Sequence, residues 1–346
     1  MNQPIKIYLN YFIHHLTKDV YKCIRVDDQV TGYIKYKKVD YRTERKNKDG
    51  YYLSYHYPFE SYLKTKTKDT HFFKPFNHYL PSFKIQELKE ISQSQTLLDR
   101  LQEDNIQMCV IRKIFAIFSK KIPRFQISLM GLDASLQCRL ETPTSDIDLT
   151  ISDAHLYQQL HKFISQDQNF KLFSSGIVDR RGAYSSFITT PELIAFENRK
   201  ISFIFENIKI SILFSGAITL RESLISTGSL VFIKTKPEID KSVGEPSLIK
   251  LKNIEIIHGP ELDKKREIYY LSVLPVRTSF LLKKDDTLFI TGIIYIGEKT
   301  YNIYISQLTW DYCKIFNTHN IALNTYLQLQ DEDKSVVAHF FENLKL

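Results

Sequence analysis

Two aspartates stand two residues apart in the segment Ser145-Asp-Ile-Asp-Leu149. The polar–apolar alternation from Asp146 to Ile151 predicts a β-strand. Strand side chains have a period of two, so Asp146 and Asp148 fall on one face. Carboxylates that close raise the cost of ionising each other unless a cation sits between them. Magnesium suits such a pair, because it takes carboxylate oxygens together with phosphate and water; manganese is an alternative. Two such ions can activate an attacking hydroxyl and stabilise a leaving pyrophosphate. An Asp-x-Asp pair is also a common way for a solvated strand to begin. The neighbouring residues therefore have to decide.

The elements that must position this pair can be read on either side of it. Apolar spacing at Leu88, Ile91, Leu97, Leu98 and Leu101, then from Ile106 to Phe118, predicts helix, closed by Lys120-Lys-Ile-Pro123. Phe125 to Met130 reads as a short apolar strand. A polar loop then leads to Asp146. Beyond the strand, Ser152 or Asp153 is a good N-cap for a helix running through Ile164. Strands are predicted at Phe170–Phe173, Tyr184–Thr189, Lys200–Phe205 and Ile208–Phe214. Glu206-Asn207 forms a tight hairpin turn between the last two.

The segment Met130-Gly-Leu-Asp-Ala-Ser-Leu-Gln-Cys-Arg-Leu-Glu-Thr-Pro-Thr-Ser-Asp-Ile-Asp-Leu149 resembles the nucleotidyltransferase superfamily that includes DNA polymerase beta. Its wording is closest to terminal uridylyltransferases and noncanonical poly(A) polymerases. In that family a strand leads into Gly-Ser, and Asp-hydrophobic-Asp-hydrophobic follows after a loop. Here Ala134-Ser135 is followed, ten residues on, by Asp146-Ile-Asp-Leu149. The resemblance spans roughly residues 90 to 226. It implies an α/β fold with a mixed sheet. It also implies metal binding by Asp146 and Asp148, and nucleoside triphosphate held by Ser135 and Ser145 at a helix start. The family's third carboxylate sits on a later strand that leads into a helix. The matching stretch is Ile208-Lys-Ile-Ser-Ile-Leu-Phe214 followed by residues to Ile225, and Ser211 stands at the carboxylate's position. Two departures follow. Ala134 replaces a glycine, unless Gly131 is the true equivalent, and Ser211 replaces an aspartate. Loss of a group that prepares the acceptor costs about 10²–10⁴-fold in rate.

The chain has 346 residues, 43% hydrophobic and 25% charged, with a formal net charge of +8. A basic excess attracts polyanions. Residues 1–85 are rich in tyrosine and lysine. Tyr33-Ile-Lys-Tyr-Lys-Lys38 and Tyr51–Tyr57 read as a hairpin whose charged tip spans Arg42 to Gly50. Lys35, Lys37 and Lys38 there are candidate RNA contacts, because aromatics among lysines can stack bases and hold phosphates. The same pattern also fits a core face with its lysines in solvent. Residues 86–226 form the nucleotidyltransferase-like region. Residues 227–346 are expected to be strand-rich, with helix over Asp311–Leu329 and Lys334–Leu344. Cys23, Cys109, Cys138 and Cys313 are far apart and read as reduced thiols of an intracellular, soluble protein. No membrane segment is expected. Three functions remain open at this level. One is a degenerate nucleotidyltransferase serving as a binding or scaffold subunit of an RNA-processing assembly, with a protein partner. The others are an active RNA terminal nucleotidyltransferase and a transferase acting on a small molecule or protein.

Overall fold

A computed structural model describes residues 5–26, 28–55, 70–73, 78–172, 198–220, 225–244, 247–272, 280–305, 310–316 and 325–327. The fold mixes α and β and is strand-rich, with few helices. The first eight strands are β1 (Ile5–His14), β2 (Val20–Val26), β3 (Gln29–Val39), β4 (Arg45–Asn47), β5 (Gly50–Ser54), β6 (Thr70–Phe73), β7 (His78–Lys84) and β8 (Leu88–Ile91). The expected hairpin is there: β3 runs antiparallel to β5. Its charged tip is itself folded back, with β4 laid against β5.

Two helices follow, α1 (Gln93–Arg100) and α2 (Ile106–Lys121). The Asn105 side chain caps α2 by accepting from the Met108 N–H at 2.9 Å. Met108, Ile111, Phe115 and Phe118 recur at helical spacing and are buried. The chain continues through β9 (Met130–Leu132), α3 (Ala134–Gln137), β10 (Ile147–Ile151), α4 (Ala154–Gln166), β11 (Lys171–Leu172), β12 (Ile201–Phe205), β13 (Ile208–Phe214) and β14 (Ala217–Leu220). Asp153 caps α4, accepting from the Leu156 N–H at 2.6 Å. The turn between β12 and β13 is as tight as expected: Phe205 pairs with Ile208, and Glu206 and Asn207 both have positive φ.

Five of these strands form a mixed sheet in the order β11-β12-β13-β10-β9, with β10 parallel to β13. Its two faces differ. Ile147, Leu149, Ile151, Phe203, Ile210 and Ile212 share one core with α2 and α4. The alternate residues, among them Asp148, Thr150, Ser202 and Ser211, must lie on the other face.

The polar face is brought under the first sheet by β1. One edge of β1 pairs with β2. Its other edge is divided between β14, at Ile5–Tyr8, and β8, at Tyr11–His14. The segments entering and leaving the mixed sheet are therefore both strapped to one strand. This corrects two expectations. Leu88–Ile91 is strand rather than the start of a helix, and Ala217–Leu220 is strand rather than a lead into one. Both satisfy their backbone groups on β1, a partner remote in sequence, and tertiary pairing overrides local pattern.

The last region is strand-rich, as expected. It contains β15 (Ile225–Pro237), β16 (Lys241–Val243), β17 (Ser247–His258), β18 (Glu267–Ser272), β19 (Phe280–Leu282), β20 (Thr287–Ile296), β21 (Thr300–Ile305), β22 (Trp310–Phe316) and β23 (Thr325–Leu327). The expected helix over Asp311–Leu329 is contradicted by β22 and β23, which extend the sheet from β20. Tyr184–Thr189 and Lys334–Leu344 lie outside the described residues. Because β15 pairs with both β17 and β20, five strands close into a ring, β15-β17-β18-β21-β20 and back to β15. Val231, Ile233, Ile249, Ile290 and Ile303 fill it. Among the described residues no helix is long and apolar enough to cross a membrane.

A buried ion pair joins the barrel to the mixed sheet. Arg199, just before β12, donates to both oxygens of Asp286 at 2.6 and 2.9 Å and to the Leu281 carbonyl at 3.1 Å. Asp286 also accepts from the Lys283 N–H at 2.8 Å. The two side chains are 8% and 1% exposed. Removing one partner strands the other charge. Asp286→Ala is expected to destabilise the chain by about 3–5 kcal/mol in denaturant unfolding. A loss below about 1 kcal/mol, the range of a surface pair, would show that this junction does not hold the units together.

Candidate functional site

Asp148 lies on β10, and Asp146 immediately precedes the strand. The parallel register sets Asp148 opposite Ser211 and Ile147 opposite Ile210. The residue facing Asp148 on the neighbouring strand is thus a serine, as the sequence register predicted. Ser211 lies 3.5 Å, hydroxyl to hydroxyl, from Ser202 on β12. Glu206 is placed away from Asp148, at the far end of the β12–β13 hairpin. It sits in the distal turn and pairs with Lys113 of α2 at 2.7 Å.

The sequence reading missed a third carboxylate. Asp133 directly follows β9, and its N–H donates to the Asp148 carbonyl at 2.9 Å. It is only 6% exposed and, although it is the N-cap residue of α3, its side chain makes no capping hydrogen bond. Burial, then the carboxylates of Asp133 and Asp146, push the pKa of Asp148 up to about 6.

The compensating cations come from the chain itself. Lys209 on β13 holds Asp146 at 2.8 Å. From the first sheet, Lys22 on β2 is 7% exposed, with its ammonium 5.6 Å from the centre of the Tyr11 ring. Lys209 and Lys22 both counter the upward push on Asp148. Lys35 on β3 is half-buried. Burial, then the charge of Lys22, lower its pKa, and Asp133 and Asp148 oppose that shift. The charges of Asp133 and Asp148 thus reach this candidate RNA contact, while Lys37 and Lys38 are exposed.

The loop residues are committed to structure. The Ser145 hydroxyl accepts from the Thr142 N–H at 2.8 Å, and the Ser145 N–H donates to the Thr142 carbonyl at 3.0 Å. Ser135 is buried in α3 at 7% exposure. Ala134 has φ +50°, the left-handed conformation that glycine adopts without strain. A methyl group is thus held in a backbone conformation that favours glycine. Gly131 serves another purpose: a Cβ there would stand 2.6 Å from Thr150 Oγ1 and 2.7 Å from Gln93 Cβ. Its bare backbone lets the start of α1 rest on β9.

Arg100 fixes the loop from below. It is 2% exposed, donates to the Leu136 carbonyl at 2.5 Å and pairs with Glu141. Above it, Tyr36, Tyr52, Cys138 and Leu140 form one apolar contact between the first sheet and the end of α3. Beside Asp133, Lys22, Thr150 and Ser215 line a cavity of about 10 Å³. That is room for about one water molecule, and far below the ~300 Å³ at which small-molecule pockets begin.

A pair of metal ions does not fit these residues. Asp146 is engaged by Lys209, Asp148 faces a serine, and among the described residues no three His, Cys, Asp or Glu side chains are placed to share an ion.

The raised pKa has a measurable consequence. Unfolded, Asp148 titrates near the ordinary value of about 3.9. Folded, it holds its proton up to about 6. Between these values the folded state binds the extra proton, so its contribution to stability falls as pH rises and is constant above. Asp148→Asn is expected to remove that fall and to gain about 1–2 kcal/mol at pH 7 after solvent screening. The gain should vanish below about pH 4. Paired unfolding curves across pH check this, and a variant less stable than wild type at pH 7 would contradict it. No protein-family model matches the chain, nor does any curated protein or solved structure, so the functional reading rests on this geometry.

Proposed function

We propose that this chain is a nucleotidyltransferase-like protein that has lost transfer chemistry and serves as an RNA-binding scaffold subunit in a larger assembly. The frame of the reading is the arrangement of β9, α3, β10 and β13, with an aspartate pair at the start of β10. That arrangement agrees with the resemblance drawn from Ala134-Ser135 and Asp146-Ile-Asp-Leu149. The loss of chemistry is carried by one observation: the chain itself supplies a cation to the acidic pair, Lys209 to Asp146 at 2.8 Å. Lys22 of the first sheet adds a second positive charge that acts on Asp148. Ser211 opposite Asp148 supports the same conclusion, because a neutral hydroxyl is a poor magnesium ligand beside a carboxylate. The RNA part rests on the net charge of +8 and on exposed lysines at Lys37 and Lys38.

The purified chain is to be given RNA, each nucleoside triphosphate in turn, and magnesium or manganese. No extension above background is expected. Rapid tailing that Asp146→Ala and Asp148→Ala both abolish would establish an active terminal nucleotidyltransferase instead.

A further inference from the structure

The closed barrel has its own surface to explain. Numbered along the chain as first to fifth, β15, β17, β18, β20 and β21 are joined in the order first-second-third-fifth-fourth and back to first, with third and fifth parallel. That is the strand order of the OB-fold, a Greek-key barrel whose second and third strands offer an outward face to oligonucleotides or oligosaccharides. Strand order alone does not make a binding site. The side chains on that face add a specific observation.

Lys236 of β15 stands directly opposite Lys252 of β17. Like charges in that position destabilise a sheet. The carboxylates around them are already used. Glu238 and Glu267 pair with Lys250 at 3.4 and 2.8 Å, and Glu255 pairs with Lys234 at 3.0 Å. Glu267 also accepts from the Tyr269 hydroxyl at 2.8 Å. Among the described residues neither Lys236 nor Lys252 has an ion-pair partner. The pair is also held in place. Asn253 has φ +54° where the register slips, and the Thr235 hydroxyl donates to the Lys252 carbonyl at 2.7 Å. Bulges of this kind re-aim side chains. Tyr269, half-buried on β18 opposite Lys250, places an aromatic ring on the same face.

We infer that this face of the barrel, centred on Lys236 and Lys252, is where the chain holds single-stranded RNA. A phosphodiester between the two ammoniums removes their repulsion, and the Tyr269 ring beside it suits base stacking, which tolerates any sequence. The inference rests on the RNA reading above and gives it a location away from the acidic site.

The test uses the full chain and a labelled single-stranded RNA of about 12 nucleotides, followed by fluorescence anisotropy between about 50 and 200 mM salt. Lys236→Gln with Lys252→Gln should weaken binding at least about tenfold and flatten the log–log salt slope by about 0.7, for the one phosphate lost. Lys252→Glu should also lose RNA. It should melt about 1–3 °C above wild type, because the repulsive pair becomes attractive, so the loss cannot be blamed on unfolding. Wild type that binds RNA while the double variant binds it as tightly, with the same slope, would overturn the location and leave the RNA reading standing. Wild type that binds no RNA at low salt would overturn both. Displacement of the RNA by polyglutamate as readily as by unlabelled RNA would assign the face to an acidic polypeptide and sink the inference.

Discussion

Three carboxylates crowd one edge of the mixed sheet, and their mutual repulsion is the constraint around which the neighbouring elements are arranged. Asp133 and Asp148 are joined through backbone hydrogen bonding, so they cannot move apart without breaking the sheet. Asp146 enters the same strand two residues earlier. Desolvation in such a cluster favours the protonated form, and only nearby cations oppose it. The cations are lysines on two separate elements, Lys209 inside the mixed sheet and Lys22 on the first sheet.

This explains why the first sheet is bound so firmly to the unit beneath it. β1 receives β8 on one half of its edge and β14 on the other, so the chain enters and leaves the mixed sheet along the same strand. The Gln137 amide donates to the Asn10 side chain at 2.9 Å and to the Ile91 carbonyl, and Arg45 donates to the Leu140 carbonyl at 2.6 Å. These contacts are made by α3 and the loop after it, which leads to Asp146. The docking of the first sheet also brings the Lys22 charge to the acidic site.

Much of this was legible in the sequence where the signal is local. The strand at Asp148, the helix capped by Asp153 and the hairpin at Glu206-Asn207 follow from period and turn chemistry within a few residues. The register of Ser211 against Asp148 was expected from the resemblance, which set Ser211 at the position of a third carboxylate. What the sequence did not reveal depends on distant partners. Leu88–Ile91 and Ala217–Leu220 are strands because β1 offers them an edge, and nothing in their own residues names it. Asp133 lay inside the quoted motif, yet its nearness to Asp148 needed the pairing of β9 with β10. Lys22 carried a signal that could have been used: a lysine within the otherwise buried run from Val20 to Ile24 demands a partner. Lys35 was singled out as a cation for an external anion; it is half-buried, and the charges of Asp133 and Asp148 act on it.

The claim that this chain supplies its own counterions to the acidic face is tested most directly by following the Asp148 side-chain carboxyl carbon by NMR across pH. Wild type and Lys22→Met are to be compared. In wild type Asp148 should titrate near 6. Without the Lys22 ammonium the midpoint should move higher, because a cation that stabilised the carboxylate is gone. An ordinary carboxylate midpoint of about 4 in wild type, or the same midpoint in both proteins, would contradict the account.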